Sequence, residues 1–339
     1  MSVQMTRHTL AWLVQPDLTD LMLTPQDRRM ISALAEVSWW QGAQPPSPEE
    51  ARAALRHAQS AVVSWGAPRM TDEVLAEATH LTRLHYAAGS VKPMVAEAIW
   101  ARGIRLTSAS AALAENVAEY TLGLIILGLY NFWALTDAVS RGEWMHRAGS
   151  LGEPRALINS TIGILGAGQA GRRVIRLLQN FPCRVLLYDP FVSAEVAQLL
   201  GATKASLEEL LAQSDVVSVH VPNLPETQHL LNADTLALMR DDAVLINTAR
   251  GAIIDESALI DALQKGRFFA LLDVTNPEPP APDHPFRHLP NVRLAPHIAG
   301  GVNNGRQQIG RLILEQLQRD ITGQEPLYEV TREMLATLA

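Results

Sequence analysis

Residues 160–171 read STIGILGAGQAG, and the rest of the chain is best read outward from them. A short apolar run, 161–165, feeds Gly166-x-Gly168-x-x-Gly171, and a stretch with helical apolar spacing, 172–181 (RRVIRLLQNF), follows at once. Strand, glycine turn and helix start, in that order, make a dinucleotide site. Gly166 permits the tight turn, Gly168 lets a pyrophosphate approach bare backbone, and Gly171 lets helix and strand pack closely. The diphosphate then lies on the N–H groups of the helix start, where the macrodipole is positive. A second strand, 184–188, ends in Asp189, an acid placed to accept hydrogen bonds from the adenosine ribose and to repel a ribose phosphate. Glycine clusters also punctuate ordinary loops, so it is this context that predicts a Rossmann-type domain.

The bulk numbers fit that reading. At 339 residues the chain is long for one core, so two domains are expected. Apolar residues at 47% and charged ones at 19% suit a well-buried α/β enzyme. The net charge is −7 and the 28 basic residues form no run, which argues against nucleic acid or an anionic membrane as partner. The single cysteine, Cys183, excludes an internal disulfide and fits a reducing compartment. It reads as a small buried residue rather than a reactive thiol. The opening MSVQMTRHTLAWLV lacks the apolar core of a secretory signal, and the longest apolar stretch, 122–135, contains Asn131 and falls short of a bilayer span. The expectation is a cytoplasmic protein.

In the first hundred residues, 61–65 (AVVSW), 84–88 and 104–107 read as strands, with helices over 71–78, N-capped by Thr71, and over 95–101. This βαβ rhythm predicts a separate parallel sheet. Residues 41–48 (QGAQPPSP) are a surface loop. Trp39, Trp40 and Trp65 read as core residues rather than a pocket wall. A long helix over 116–138 leads through an irregular segment, 141–159, into strands at 161–165, 184–188, 216–220, 243–247, 268–274 and 292–295. A last helix, 306–320, has one apolar face built from Ile309, Leu312, Ile313 and Leu317.

In an open parallel sheet, ligands bind beyond the carboxyl ends of the strands. Those ends carry His220-Val221-Pro222, then Thr248-Ala249-Arg250, then Asp273 with Glu278 beyond it, then His297-Ile298-Ala299-Gly300. A guanidinium, a carboxylate and an imidazole beside a nicotinamide can reduce a 2-keto acid. His297 is the candidate general acid, because imidazole titrates nearest to working pH. Glu278 would orient the ring and favour its charged form, and Arg250 would grip the substrate carboxylate and polarise the carbonyl. Singly, each of the three is more often a solvated loop residue. His220 is expected to line the cofactor channel, and Asp273 to bond the nicotinamide carboxamide rather than serve as a buried structural acid. His284 and His288 precede the last strand and read as loop residues.

The series GAGQAG, YDP, VSVHVPNLPETQHLLN, LINTARGAIIDESALIDAL, LLDVTNPEP and DHPFRHLPNVRLAPHIAGG resembles the D-isomer-specific 2-hydroxyacid dehydrogenase family, densely over 109–301. The resemblance implies catalytic Arg250, Glu278 and His297. It implies NAD contacts at Gly166, Gly168, Gln169, Ala170, Gly171, Asp189, Thr248, Ala249, Asp273, Ala299 and Gly300, with His220, Val221 and Pro222 beside them. It also implies a substrate-carboxylate loop at Ala88, Gly89 and Ser90. The fold it implies is α/β: a Rossmann-type doubly wound parallel sheet over 109–301, inserted into a flavodoxin-like substrate domain formed by 1–108 and 302–339. A homodimer built partly on the helix 116–138 is implied as well; no metal is. The chain departs from the family at Val91, where an Asp is frequent, at Thr275 in place of an aromatic, and at Asn223 in place of an aliphatic. These departures bear on substrate identity. The leading reading is an NAD-dependent dehydrogenase of small 2-hydroxy acids. The alternative is an NAD(H)-sensing dimeric binding protein or corepressor on the same fold. A formate dehydrogenase fits less well, since that branch has Gln where Glu278 stands.

Overall fold

The computed structural model describes residues 7–144, 153–302 and 304–338, so part of the segment 141–159 lies outside the described residues. The chain divides into two compact units, Met1–Leu113 with Gly301–Ala339, and Ala114–Gly300. The division falls slightly later than residue 109, inside the helix Ser110–Leu129, because Ala109, Ala112 and Leu113 still pack in the core of the first unit.

In the first unit the strands are β1 (Thr9–Leu13), β2 (Glu36–Trp39), β3 (Ser60–Val63), β4 (Arg83–Tyr86) and β5 (Arg105–Ser108). They pair in parallel in the order β2-β1-β3-β4-β5, the flavodoxin-like order. Successive side chains point to opposite faces of the sheet. Leu10, Trp12 and Val62 meet Met22, Ile31 and the helix Arg306–Thr322 on one side. Ala11, Leu13 and Val63 meet Leu55 and Ile99 on the other. Two expectations fail here. The sheet is not wholly parallel, because the strand Glu329–Val330 returns after the last helix and runs antiparallel along β5. Residues 72–77 form turns, not a helix: Ala76 and Ala78 donate three residues back, to Glu73 and Leu75, while Met70, Val74, Leu75 and Ala78 are all buried. All four lie in one core layer, so the apolar spacing is met by burial while the backbone closes as turns. Trp39 packs against Trp12 with the rings tilted and their centroids 5.3 Å apart, and Trp40 packs on the other core layer, whereas Trp65 is 38% exposed.

In the second unit, β6 (Thr161–Leu165), β7 (Arg184–Tyr188), β8 (Thr203–Lys204), β9 (Val216–Val219), β10 (Val244–Asn247), β11 (Phe269–Leu272) and β12 (Val292–Leu294) form one parallel sheet, ordered β8-β7-β6-β9-β10-β11-β12. This is the Rossmann order 3-2-1-4-5-6 with one strand more. Helices cover both faces: Ala118, Ile125, Leu129 and Val174 on one, Leu210, Leu259 and Leu263 on the other. The long helix expected over 116–138 starts earlier and is broken into Ser110–Leu129 and Phe132–Ser140. Asn131 sits between them at φ 49°, a left-handed conformation that asparagine tolerates. Ser110–Leu129 is long and apolar enough to cross a membrane by length and composition, which corrects the reading that no apolar stretch reaches a span. Its Ala118, Ile125 and Leu129 lie in the core under the sheet.

Candidate active site

The glycine turn follows β6 directly. Gly166 has φ 95°, and a Cβ there would lie 2.9 Å from the Val221 backbone nitrogen. A Cβ on Gly171 would sit 2.0 Å from the Gly166 carbonyl oxygen. Over Gly168, by contrast, the nearest atom is the His220 carbonyl oxygen at 4.0 Å. Two glycines are thus required by the protein's own packing, and the middle one leaves room for a ligand to approach the backbone. The helix Gln169–Leu178 opens on Gly168 with no side-chain cap, so Gln169, Ala170 and Gly171 present a positive helix start of the kind that takes a diphosphate. Asp189 ends β7, with Oδ2 accepting the Ala167 N–H at 2.8 Å and Oδ1 the Phe191 N–H at 2.9 Å. This acid therefore braces the turn from the end of the neighbouring strand. These features fit a dinucleotide.

His220 is buried behind the turn, with Nε2 2.9 Å from Ser218 Oγ. Burial pulls its pKa down to about 4, so the ring is neutral at working pH. Its backbone and Cβ, with Val221, back Gly166 and Gly171, a wedge rather than a proton carrier. Pro222 closes the segment, its carbonyl accepting from the Thr227 hydroxyl at 2.5 Å.

Beyond the neighbouring strand ends the chemistry gathers. His297 Nδ1 lies 2.6 Å from Glu278 Oε1, and both side chains are partly open, at 44% and 40%. Arg250 stands half-buried after β10, with Nη1 donating to the Ala249 carbonyl at 2.6 Å. Burial lowers its pKa, against which the negative Glu278 works to raise it, so the guanidinium and carboxylate are within electrostatic reach. Asn247 shapes this turn: its amide donates to the Arg250 carbonyl at 2.8 Å and its oxygen accepts the Ala249 N–H at 3.0 Å. An asparagine at a strand end before a turn is the local signal that could have disclosed that role.

Three expected cofactor contacts have other partners. Asp273 is 1% exposed, and its two oxygens accept the N–H groups of Ile298 at 2.8 Å and Ala299 at 2.9 Å. Its carbonyl takes the His297 N–H at 2.9 Å. Burial raises its pKa, opposed by those two N–H groups. It braces the His297 turn as a buried structural acid. The Thr248 hydroxyl lies 3.1 Å from that of Thr121, and the Gly300 carbonyl accepts from Asn116 at 3.0 Å. Thr121 and Asn116, on the long helix, therefore fix the two turns from behind. Neither was foreseen, since each pair is far apart in sequence. Ala299 is buried at 2% and Ala249 partly so.

A profile of the family described as D-isomer specific 2-hydroxyacid dehydrogenase, NAD binding domain, matches residues 122–299. A glyoxylate reductase from Aeropyrum pernix is 33% identical over 318 residues, covering 92% of this chain and 94% of that one. The chain belongs to the D-isomer specific 2-hydroxyacid dehydrogenase family. A D-3-phosphoglycerate dehydrogenase from Methanocaldococcus jannaschii is 31% identical over 90% of this chain, which spans 57% of that protein's length. The crystal structure of a phosphoglycerate oxidoreductase from Rhizobium etli matches with a TM-score of 0.80 at 25% identity, covering 96% of this chain and 99% of that one. This family member is thus an NAD-dependent oxidoreductase of the 2-hydroxyacid class, and these relatives lend no support to a corepressor.

In the first unit of this dehydrogenase, Ala88, Gly89 and Ser90 follow β4; Ala88 is fully buried, and the Gly89 carbonyl accepts from Ser108 at 2.8 Å. Val91, at the position where the family often has Asp, is a core residue at 2% exposure. Among the described residues no cluster of His, Cys, Asp or Glu could hold a metal.

Proposed function

We propose that this dehydrogenase reduces a small 2-keto acid such as glyoxylate to its D-2-hydroxy acid, with NADH, and runs the reverse reaction when substrate ratios favour it. The observation that carries the roles is the 2.6 Å contact of His297 Nδ1 with Glu278. With Nδ1 engaged by the carboxylate, Nε2 is the nitrogen that delivers a proton to the developing alkoxide. NAD supplies the hydride chemistry. Arg250 holds the substrate carboxylate and polarises the carbonyl oxygen, and its charge stabilises the alkoxide as it forms. The Ala88–Gly89–Ser90 backbone is assigned to the substrate carboxylate on the family resemblance. Loss of NADH absorbance with glyoxylate, hydroxypyruvate, pyruvate and longer 2-keto acids tests this reading. No turnover across that panel, with NADH still bound, would overturn it.

Asp189 makes the cofactor choice. Two backbone N–H groups hold its carboxylate in place, so a ribose phosphate would meet a fixed like charge. Juxtaposed like charges cost several kcal/mol, so kcat/KM should favour NADH over NADPH by about 10²-fold or more. Asp189→Ala should erase most of that preference; equal use of both cofactors by the wild type would refute the assignment.

We also infer a homodimer. Tyr130 and Phe132 are 48% and 45% exposed where the two long helices meet, next to a cleft of about 240 Å³ lined by Leu124, Trp133, Leu271 and Leu294. A second copy of the same face would cover them. Sedimentation of the wild type at twice the chain mass, and of Phe132→Glu at the monomer mass, is the expected result. A monomeric wild type would refute it.

A further inference from the structure

Glu256 and His284 have no part in the chemistry above, yet they meet behind it. Glu256 opens the helix Glu256–Gln264, where an acid is ordinarily explained by the helix dipole. That explanation is incomplete here, because Asp255 already caps the helix, accepting the N–H groups of Ser257 at 3.1 Å and Ala258 at 3.2 Å. The Glu256 carboxylate reaches away from the helix instead. Oε1 accepts the Asn276 N–H at 2.7 Å, and Oε2 lies 3.3 Å from His284 Nε2. Both side chains are largely buried, at 15% and 16% exposure. His284 Nδ1 accepts the Phe286 N–H at 3.3 Å, which assigns the ring proton to Nε2 and makes that nitrogen the donor to Glu256. A neutral ring thus satisfies both contacts.

Asn276 stands two residues before Glu278 in the loop that leaves β11. The same loop is pressed from a second side by Gly251, where a Cβ would come within 2.1 Å of the Thr275 carbonyl carbon and 2.6 Å of the Asn276 nitrogen. It is also tied internally by the Thr275 hydroxyl, which donates to the Pro277 carbonyl at 2.9 Å. Thr275 is the position where the family resemblance implies an aromatic side chain. With a small residue there, hydrogen bonds hold the loop.

We propose that Glu256, oriented by His284, is a positioning residue that fixes the loop of Glu278 and so sets the Glu278–His297 contact. The segment that presents the Arg250 guanidinium therefore also braces the loop that carries the carboxylate. This inference rests on the roles given to Glu278 and His297 above.

The test compares Glu256→Ala with Glu256→Gln, whose amide oxygen can still accept the Asn276 N–H. Its NH2 then meets the His284 Nε2–H as a second donor, so this variant keeps the loop contact and loses the orienting one. A small displacement of a group in the reacting constellation costs about 10²-fold, so Glu256→Ala should lose kcat on that order, with the NADH dissociation constant and KM for the keto acid nearly unchanged. Glu256→Gln should recover part of the loss, the part that the Asn276 contact carries. Nitrogen-15 spectra of the imidazole rings, with His297 assigned by its absence in His297→Asn, give a second reading that needs no substrate. The hydrogen-bonded Nδ1–H signal of His297 should be present in the wild type and in Glu256→Gln, and lost in Glu256→Ala. Wild-type turnover and an unchanged His297 signal in Glu256→Ala would overturn the proposal, as would equal damage in both variants or loss of NADH binding. A wild type that turns over none of the keto acids would sink the proposed reaction alone, since the spectra still decide this point.

Discussion

His297→Ala should lower kcat by about 10²- to 10⁴-fold, the usual contribution of a positioned acid or base. Its NADH affinity should stay close to wild type, because the glycine turn and Asp189 lie on other strands. The backbone at His297 complicates a simple reading, since φ there is 53°, a conformation that costs most residues some strain. The turn is nevertheless held by main-chain groups that any residue provides: the N–H of His297 on the Asp273 carbonyl, and those of Ile298 and Ala299 on the Asp273 carboxylate. His297→Asn separates the two effects, because asparagine accepts the left-handed region and cannot act as the acid. Equal losses in both variants would assign the defect to proton transfer. Steady-state kinetics with NADH fluorescence titration measure it, and a variant with near-normal kcat would remove His297 from the mechanism. A loss that appeared as weaker NADH binding would point to collapse of the turn instead.

The sequence disclosed the parts of this molecule that depend on local pattern or on topology. β6 and β7 fall where their short apolar runs and the glycine motif put them, and strand order alone carries Arg250, Glu278 and His297 to adjacent strand ends. What escaped depends on contacts between distant residues. Nothing near Asp273 in sequence says that its partners are the N–H groups of Ile298 and Ala299, so it read as a cofactor ligand. The Thr121–Thr248 and Asn116–Gly300 pairs are invisible for the same reason, as is the reach of Glu256 to Asn276. Local preference is decisive only where tertiary burial agrees with it.

Arg250→Lys should cost roughly 3 kcal/mol in kcat/KM, about 10²-fold, the scale of an unmade hydrogen bond to a charged group. Charge is the smaller part of the argument. The turn around Arg250 is rigid, with Asn247 bonded to both Ala249 and the Arg250 carbonyl, and Nη1 already donates to the Ala249 carbonyl at 2.6 Å. That contact fixes the plane of the guanidinium, and a fixed plane gives a carboxylate and a carbonyl oxygen two defined donors. A lysine can supply a point charge there but not the fork. Burial adds a second penalty. The site depresses the pKa of Arg250 by desolvation, which a guanidinium tolerates because its ordinary value is so high. A lysine begins lower and loses charge more readily under the same burial, with Glu278 the group that opposes this. The loss should therefore ease as pH falls and the ammonium is restored, while the geometric part persists at every pH. Arg250→Met, which has neither charge nor fork, should be worse than lysine at low pH and approach it at high pH. If lysine restores near-normal kcat/KM at any pH, the planar two-point grip is wrong and Arg250 serves only as a positive charge beside the substrate.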